Sequence, residues 1–258
     1  MTSLVESTRE GAAAILRINR PDKRNALSRD SIAALHREFV RVRDDACVRV
    51  VVLTGNGSAF CAGMDLDELQ KSLTADAETV WSDANELANL FDLIYTLPKP
   101  TIAAVNGAAV AGGAGLMTVC DLAISVPTAK FGYPEVRRGL VAALVLPHLL
   151  RHIGERSARH LLLAGELIDA AEAVRIGLIN RVVPSEQFWP EIRTLIQSLV
   201  AGGPLALAET KRLLREMSQQ SLSIADLAKA SATPRLGAEC HEGLKAFFDK
   251  RTAPWMDS

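Results

Sequence analysis

A chain of 258 residues, 48% hydrophobic and 23% charged, can bury roughly 75% of the surface its unfolded form exposes, so neither disulfides nor a structural metal is needed, and extended disorder is excluded. Lys plus Arg total 29 against 30 Asp plus Glu, a net charge of −1, which gives nucleic acid or an anionic membrane no overall attraction. Cys47, Cys61, Cys120 and Cys240 are scattered without a CxxC, the pattern of reduced thiols in a cytoplasmic protein.

The N-terminal residues lack both a basic and an apolar signal region. Leu4 to Thr8 and Ala12 to Asn19 are extended segments around Arg-Glu-Gly and predict a hairpin. Ser28 is placed to cap a helix whose apolar positions Ile32, Leu35, Phe39 and Val42 recur at helical spacing. Val48 to Thr54 is a β-branched run and predicts a buried strand. A loop over Gly55 to Gly63 follows, with a helix starting near Asp65 and another over Val80 to Leu97, stopped by Pro98 and Pro100. Pro100 to Cys120 carries no charge over 21 residues, enough to span a bilayer. Ten of those 21 are Gly or Ala, and Asn106 lies among them, so the stretch reads as buried backbone: a strand at Thr101 to Val105, then a helix at Gly112 to Val119. A strand at Leu122 to Ser125 ends this part. Beyond it the pattern is helical, at Ser157 to Leu163, Ala170 to Ile176, Phe188 to Val200, Pro204 to Met217 and a last stretch ending near Lys250. Short βαβ-like units with a helical tail predict an α/β architecture.

Several motifs are excluded by their own chemistry. Gly55-Asn56-Gly57-Ser58-Ala59-Phe60 follows a strand, but Phe60 stands where a dinucleotide fingerprint needs glycine. No G-x-S-x-G occurs. His148 and His152 share a helix spacing without the Glu of a zinc motif, and read as helix-surface histidines. Cys61 has no base near it in sequence and reads as a small buried thiol. Two glycine-rich segments remain, Phe60 to Leu66 and Asn106 to Gly115. If Gly112 opens a helix, its N–H is unpaired and lies in the positive field of the helix end. A second donor from the Ala62 turn would complete an oxyanion hole. The alternative is that these glycines only permit tight strand–helix packing.

The ordered set Arg20-Pro21-Asp22-Lys23-Arg24-Asn25-Ala26-Leu27, Phe60-Cys61-Ala62-Gly63-Met64-Asp65-Leu66, Lys99 to Gly107, Cys120-Asp121-Leu122-Ala123 and Phe131-Gly132-Tyr133-Pro134-Glu135 resembles the crotonase (enoyl-CoA hydratase/isomerase) superfamily. The tail from Glu242 to Arg251 is similar too, so the likeness spans nearly the whole chain. It implies a spiral of ββα turns over residues 1–195 and a C-terminal helical oligomerisation region over 196–258 that builds a homotrimer or a hexamer of paired trimers.

The resemblance also implies an acyl-CoA thioester as substrate, with no other cofactor and no metal. Its carbonyl would be polarised by two main-chain N–H groups, mapped to Ala62 and Gly112. Lys23, Arg24, Ala26, Gly63, Met64, Asp65 and Leu66 would line the CoA groove, while Phe247 and Lys250 would resemble adenosine contacts supplied to a neighbouring subunit. Of the two glutamates used by the best-known hydratases, the second maps onto Glu135 and the first onto Gly115, which has no side chain. The expected activity is hydration of a 2-enoyl-CoA, including branched or carboxylated chains, since the sequence after Glu135 is similar to single-glutamate methylglutaconyl-CoA hydratase-like members. Arg137 or Arg138 could meet a distal carboxylate, although exposed arginines are the preferred reading. A 3-enoyl/2-enoyl-CoA isomerase and an acyl-CoA-binding protein with little chemistry stand as alternatives.

Overall fold

The computed structural model describes residues 3–218 and 237–256, apart from the side chain of Phe247. Strands β1 (Val5–Glu10) and β2 (Ala13–Ile18) form the expected antiparallel hairpin, turned at Gly11 with φ +58°. Helix α1 (Arg29–Asp44) starts at Ser28 as anticipated: Ser28 Oγ accepts from the Ser31 N–H at 3.3 Å, and Ser31 Oγ accepts from the Ser28 N–H at 2.8 Å. This reciprocal cap satisfies two main-chain donors. Ile32, Leu35, Phe39 and Val42 are all buried, so the stripe read from the sequence is the face that packs on the sheet.

From there the chain repeats one pattern. Strands β3 (Val50–Gly55), β5 (Thr101–Val105) and β7 (Leu122–Ser125) each enter one sheet. Each is followed by a short strand in a second sheet: β4 (Ala59–Cys61), β6 (Ala108–Val110) and β8 (Lys130–Gly132). With β9 (Ile168–Asp169) and β10 (Arg181–Val182), the six-stranded sheet runs β1-β2-β3-β5-β7-β10 and the four-stranded one β4-β6-β8-β9. Pairing is parallel except at β1–β2 and β8–β9. Helices α2 (Leu66–Ser72), α3 (Ala77–Thr96), α4 (Gly112–Thr118) and α5 (Leu146–Ala164) close the successive turns. The result is the ββα spiral expected from the resemblance. All residues of β3 and β5 are buried, as parallel strands covered on both faces must be.

Three expectations need correcting. The segment Gly55 to Gly63 is not all loop, because Ala59–Cys61 pairs with β6. The helix expected from Ser157 starts at Leu146 and is broken at Gly154, φ +68°. His148 is not a surface residue: its Nδ1 is buried, and its ring meets Tyr95 edge-on at 4.5 Å.

Helices α6 (Ala170–Arg175), α7 (Phe188–Val200), α8 (Pro204–Ser218) and α9 (Ala238–Phe248) make up the rest. Helix α7 runs unbroken across positions 195 and 196, and Ile196 is buried in the main core. The last part of the chain is tied to the spiral by charge-assisted bonds. Lys211 Nζ donates to Asp121 at 2.6 Å and to the Lys99 carbonyl at 2.8 Å. Arg49 donates to the carbonyls of Trp255 at 2.8 Å and Gly202 at 2.6 Å.

Candidate active site

Three corners of the spiral converge, and each is shaped by main chain. The first is built on Arg24 and Asn25, consecutive residues in the left-handed region with φ +51° and +56°. Asn tolerates this conformation better than most residues. Its buried amide holds the corner, accepting from the Arg20 N–H at 2.9 Å and donating to the carbonyls of Asn56 at 2.9 Å and Ala59 at 2.7 Å. The chain then runs parallel to the Ala62–Asp65 segment. Ala62 N–H donates to Arg24 O at 3.0 Å, Leu27 N–H to Gly63 O at 2.7 Å, and Asp65 N–H to Leu27 O at 2.8 Å. Such a ladder engages alternate residues of each strand. Met64, opposite Leu27, is the one left over, and its N–H has no acceptor among the described residues.

This overturns the assignment of Ala62 as a donor. Its N–H is already committed to Arg24, and the open N–H in this turn belongs to Met64. Sequence located the turn, but the choice between the two residues depends on pairing with a segment nearly forty positions away. Arg20 locks the same corner by donating to the Ala26 carbonyl and, at 2.7 Å, to Asp65. Burial pushes the Asp65 carboxyl up, but the bonds from Arg20 and from the Asp67 N–H outweigh it and hold the group below the usual range. Asp65 therefore caps α2 and fixes the turn rather than presenting its side chain to a ligand.

The second corner is the step from β6 into α4. Ala111 takes φ +50° and ψ −126°, a strained conformation for a residue with a Cβ. Its N–H donates to Gly132 O at 2.8 Å. Gly112 is the first helical residue, where the N–H has no partner within the helix. A Cβ on Gly63 would fall 2.9 Å from Ala111 Cβ and 3.5 Å from Gly112 N. Only glycine at position 63 lets the Met64 turn and the Gly112 turn approach this closely.

Glu135 supplies the third corner, on the short turn Pro134–Arg138 after β8. Its Oε2 is buried without a hydrogen-bond partner. Burial raises its pKa above the ordinary carboxyl value, opposed by its own backbone N–H and by Arg138. An unpartnered buried carboxylate oxygen is costly to keep, which makes Glu135 a candidate functional group. Beside it, the phenol of the fully buried Tyr133 lies 2.5 Å from Thr118 Oγ1 on α4. Burial raises the Tyr133 pKa and the neighbouring Glu135 carboxylate adds to the shift.

The remaining predicted site residues differ in exposure and partners. Ala26 is buried, Met64 half-buried, and Leu66 exposed. Lys23 is exposed and pairs with Asp67 at 3.0 Å, and Arg24 is exposed with its carbonyl engaged as described. Lys250 is exposed just past α9, at φ +53°, whereas the side chain of Phe247 lies outside the described part. Arg137 is spent on the end of α5, donating to Ala164 O at 3.1 and 3.2 Å. Cys61 is fully buried, with burial pushing its thiol up to about 12. Among the described residues no group of three or more His, Cys, Asp or Glu is placed to hold a metal ion, and no helix is long and apolar enough to cross a membrane. A cavity of about 840 Å³ lies between Pro98, α8 and α9, and none of Glu135, Met64 or Gly112 lines it.

Comparison with known proteins identifies the family. The family model described as enoyl-CoA hydratase/isomerase matches residues 8–258. A Thermus thermophilus protein named as an enoyl-CoA hydratase is 41% identical over 244 residues, covering 94% of this chain and 96% of its own. A crotonyl-CoA hydratase of Syntrophomonas wolfei is 35% identical, with 96% of each chain covered. Among solved structures, an enoyl-CoA hydratase from Shewanella pealeana superposes with a TM-score of 0.93 at 32% identity, over 98% of this chain and 96% of that one. The chain belongs to the enoyl-CoA hydratase/isomerase family, within the crotonase superfamily, and is an enzyme of that family.

Proposed function

We propose that this enzyme adds water across the double bond of a 2-enoyl-CoA thioester, using Glu135 as its single acid/base. The observation that carries the reading is a buried, unpartnered Glu135 oxygen, on a turn tied to α4 through Gly132 and Tyr133, together with two open main-chain donors on Met64 and Gly112. Glu135 takes a proton from water as the water oxygen bonds to C3. The displaced electron pair passes through C2 to the thioester oxygen, where the two N–H groups meet the new charge. The same carboxyl then returns a proton to C2. Backbone donors suit this task because they have no proton to lose at neutral pH, and removing one such donor typically costs about 3 to 4 kcal/mol of transition-state stabilisation. The main chain of Ala26 and of Gly63 to Leu66 lies where the CoA arm would pass, with Lys23 and Arg24 on the exposed side for its phosphates. CoA enters only as part of the substrate.

The isomerase reading is favoured by one specific observation. Position 115 offers no second carboxyl, and a lone Glu135 is sufficient to move a proton between C4 and C2. Following the absorbance of the conjugated thioester with 2-enoyl-CoA and 3-enoyl-CoA offered separately decides between them. Loss of signal from the 2-enoyl ester is expected. Gain from the 3-enoyl ester alone would make the enzyme an isomerase, and no change with either would overturn both readings.

The same reading includes assembly into a homotrimer or hexamer in the cytoplasm. Leu205, Leu214 and Leu244 on the C-terminal helices are 70%, 68% and 51% exposed, apolar surface of the kind that copies of a chain cover. Phe247 and Lys250 would then serve a neighbour's adenosine. Sedimentation at micromolar concentration tests this, with a monomer as the contrary result.

A further inference from the structure

Helix α4 carries Gly112, Gly115 and Thr118 at three-residue intervals, which places them on one face, a turn apart. Gly112 is the donor end of that face, and Thr118 is where Tyr133, two residues before Glu135, is bonded. Gly115 lies between them, and what occupies its side-chain direction is specific. A Cβ there would fall 2.6 and 2.8 Å from two ring carbons of Phe91 and 2.7 Å from Val145 Cγ1. Phe91, on α3, and Val145, at the start of α5, are both buried in the main core. The room left by a residue without a side chain has been taken by an aromatic ring and a branched methyl from two other helices.

This geometry bears on the acyl chain. Three residues of helix rise about 4.5 Å, the length of roughly three carbons. An acyl chain that left a carbonyl held at Gly112 and followed the α4 face to Gly115 would meet Phe91 and Val145 within that distance. We infer that Phe91 and Val145 are specificity-determining residues that close the acyl site behind Gly115 and restrict the enzyme to short acyl chains. The inference rests on the functional reading above for its anchor at Gly112, and on the Gly115 contacts for its wall. It also explains the chemistry of the wall: Phe91 and Val145 bring no charged or polar group, so the end of the site suits an apolar acyl terminus better than a carboxylated one.

Binding of saturated esters tests this without turnover. Butyryl-, octanoyl- and dodecanoyl-CoA are titrated calorimetrically into the wild-type protein and into Phe91→Ala, Phe91→Leu and Val145→Ala, after circular dichroism confirms that each variant is folded. Wild type is expected to bind butyryl-CoA at least as tightly as octanoyl-CoA, without the gain of about fourfold per methylene that full burial would give. Opening the wall is expected to shift the preference toward octanoyl-CoA by about tenfold or more in Phe91→Ala, the burial of roughly two further methylenes. Phe91→Leu and Val145→Ala are smaller steps in the same direction and decide the matter if Phe91→Ala does not fold. An unchanged chain-length profile in folded variants would overturn the wall while leaving the functional reading intact. A wild-type protein that prefers dodecanoyl-CoA would do the same. Failure of the wild type to bind any of the esters would overturn the functional reading and the inference together.

Discussion

The Tyr133 hydroxyl lies 2.5 Å from Thr118 Oγ1, and because Thr118 spends its own proton on the Ala114 carbonyl at 2.7 Å, Tyr133 is the donor. The loop bearing Glu135 is thereby fastened to the helix that begins at Gly112. A second tie runs from Ala111 N–H to Gly132 O. Together they set the spacing between the proposed acid/base, Glu135, and the N-terminal end of α4. Tyr133→Phe keeps the packing and removes only this bond. Because small displacements of a reacting group are costly, kcat is expected to fall about tenfold, near 1.4 kcal/mol, with KM held within about twofold. Steady-state kinetics check this; an unaltered kcat would mean that the spacing is kept by packing alone.

Glu135→Gln removes the proposed acid/base and retains the shape. Turnover is expected to drop by at least about a hundredfold, the lower end for general acid–base catalysis, while the affinity for a saturated acyl-CoA stays within a few-fold. The variant also has a signature in stability. Burial raises the pKa of Glu135, so the folded protein favours the protonated form. That preference is complete below the unfolded value near 4.3 and is lost as pH rises through the higher folded value. At neutral pH the ionised group therefore weighs against folding, and glutamine relieves it. A gain in Tm is expected at pH 7.5, shrinking toward zero at pH 4. A Tm difference that is flat across this range would contradict the assignment.

Gly115 tolerates no side chain without movement of its neighbours. Gly115→Ala is expected to destabilise by about 1 to 3 kcal/mol through overpacking, readable as a lower urea midpoint. Gly115→Glu, which restores a carboxyl to this position, is expected to fold worse still and to show no gain in hydration, because Phe91 and Val145 already hold the space. A well-folded, faster Gly115→Glu variant would show that the ring and the methyl move aside readily.

His148 makes the fold sensitive to acid. Burial lowers its pKa to about 4, helped by the charges of Arg151 and His152 and opposed by Asp92. The neutral ring is therefore favoured in the folded state. The stability this provides is present above the unfolded value of about 6.5 and is lost as pH falls toward about 4. His148→Phe retains the edge-on contact with Tyr95 and has no Nδ1 to leave unpartnered, so its Tm is expected to decline less than that of the wild type between pH 6.5 and 4. Parallel melting curves in matched buffers would reveal the difference, and coincident acid limbs would exclude His148 as their source.

The elements legible in the sequence were those long enough to carry a period. The Ile32-Leu35-Phe39-Val42 stripe, the β-branched run of β3 and the proline stop after α3 each gave a structural element close to its observed bounds. Strands of two or three residues such as Ala59–Cys61, Ala108–Val110 and Lys130–Gly132 were not legible. Three residues cannot display alternation, and their β character comes from pairing with one another. The candidate site divides in the same way. Glu135 and the two glycine-rich turns could be located from motif and resemblance. The open N–H at Met64, the amide of Asn25, and the Phe91–Val145 closure depend on partners remote in the chain, and no local pattern marks them.

The ladder between Leu27 and Met64 separates two properties that most binding sites keep joined. On the proposed reading, what position 64 offers a thioester oxygen is a main-chain N–H, fixed by neighbours at 63 and 65 that are paired to the Leu27 strand. Its methionine side chain is half-buried against the main core and makes none of these bonds. Conservative substitution at 64 is therefore expected to change the side chain there while the hydrogen bonds that hold the N–H remain. A collection of variants at this position would explore substrate preference on a nearly constant catalytic background, which makes Met64 the natural place to begin redirecting this enzyme toward other thioesters.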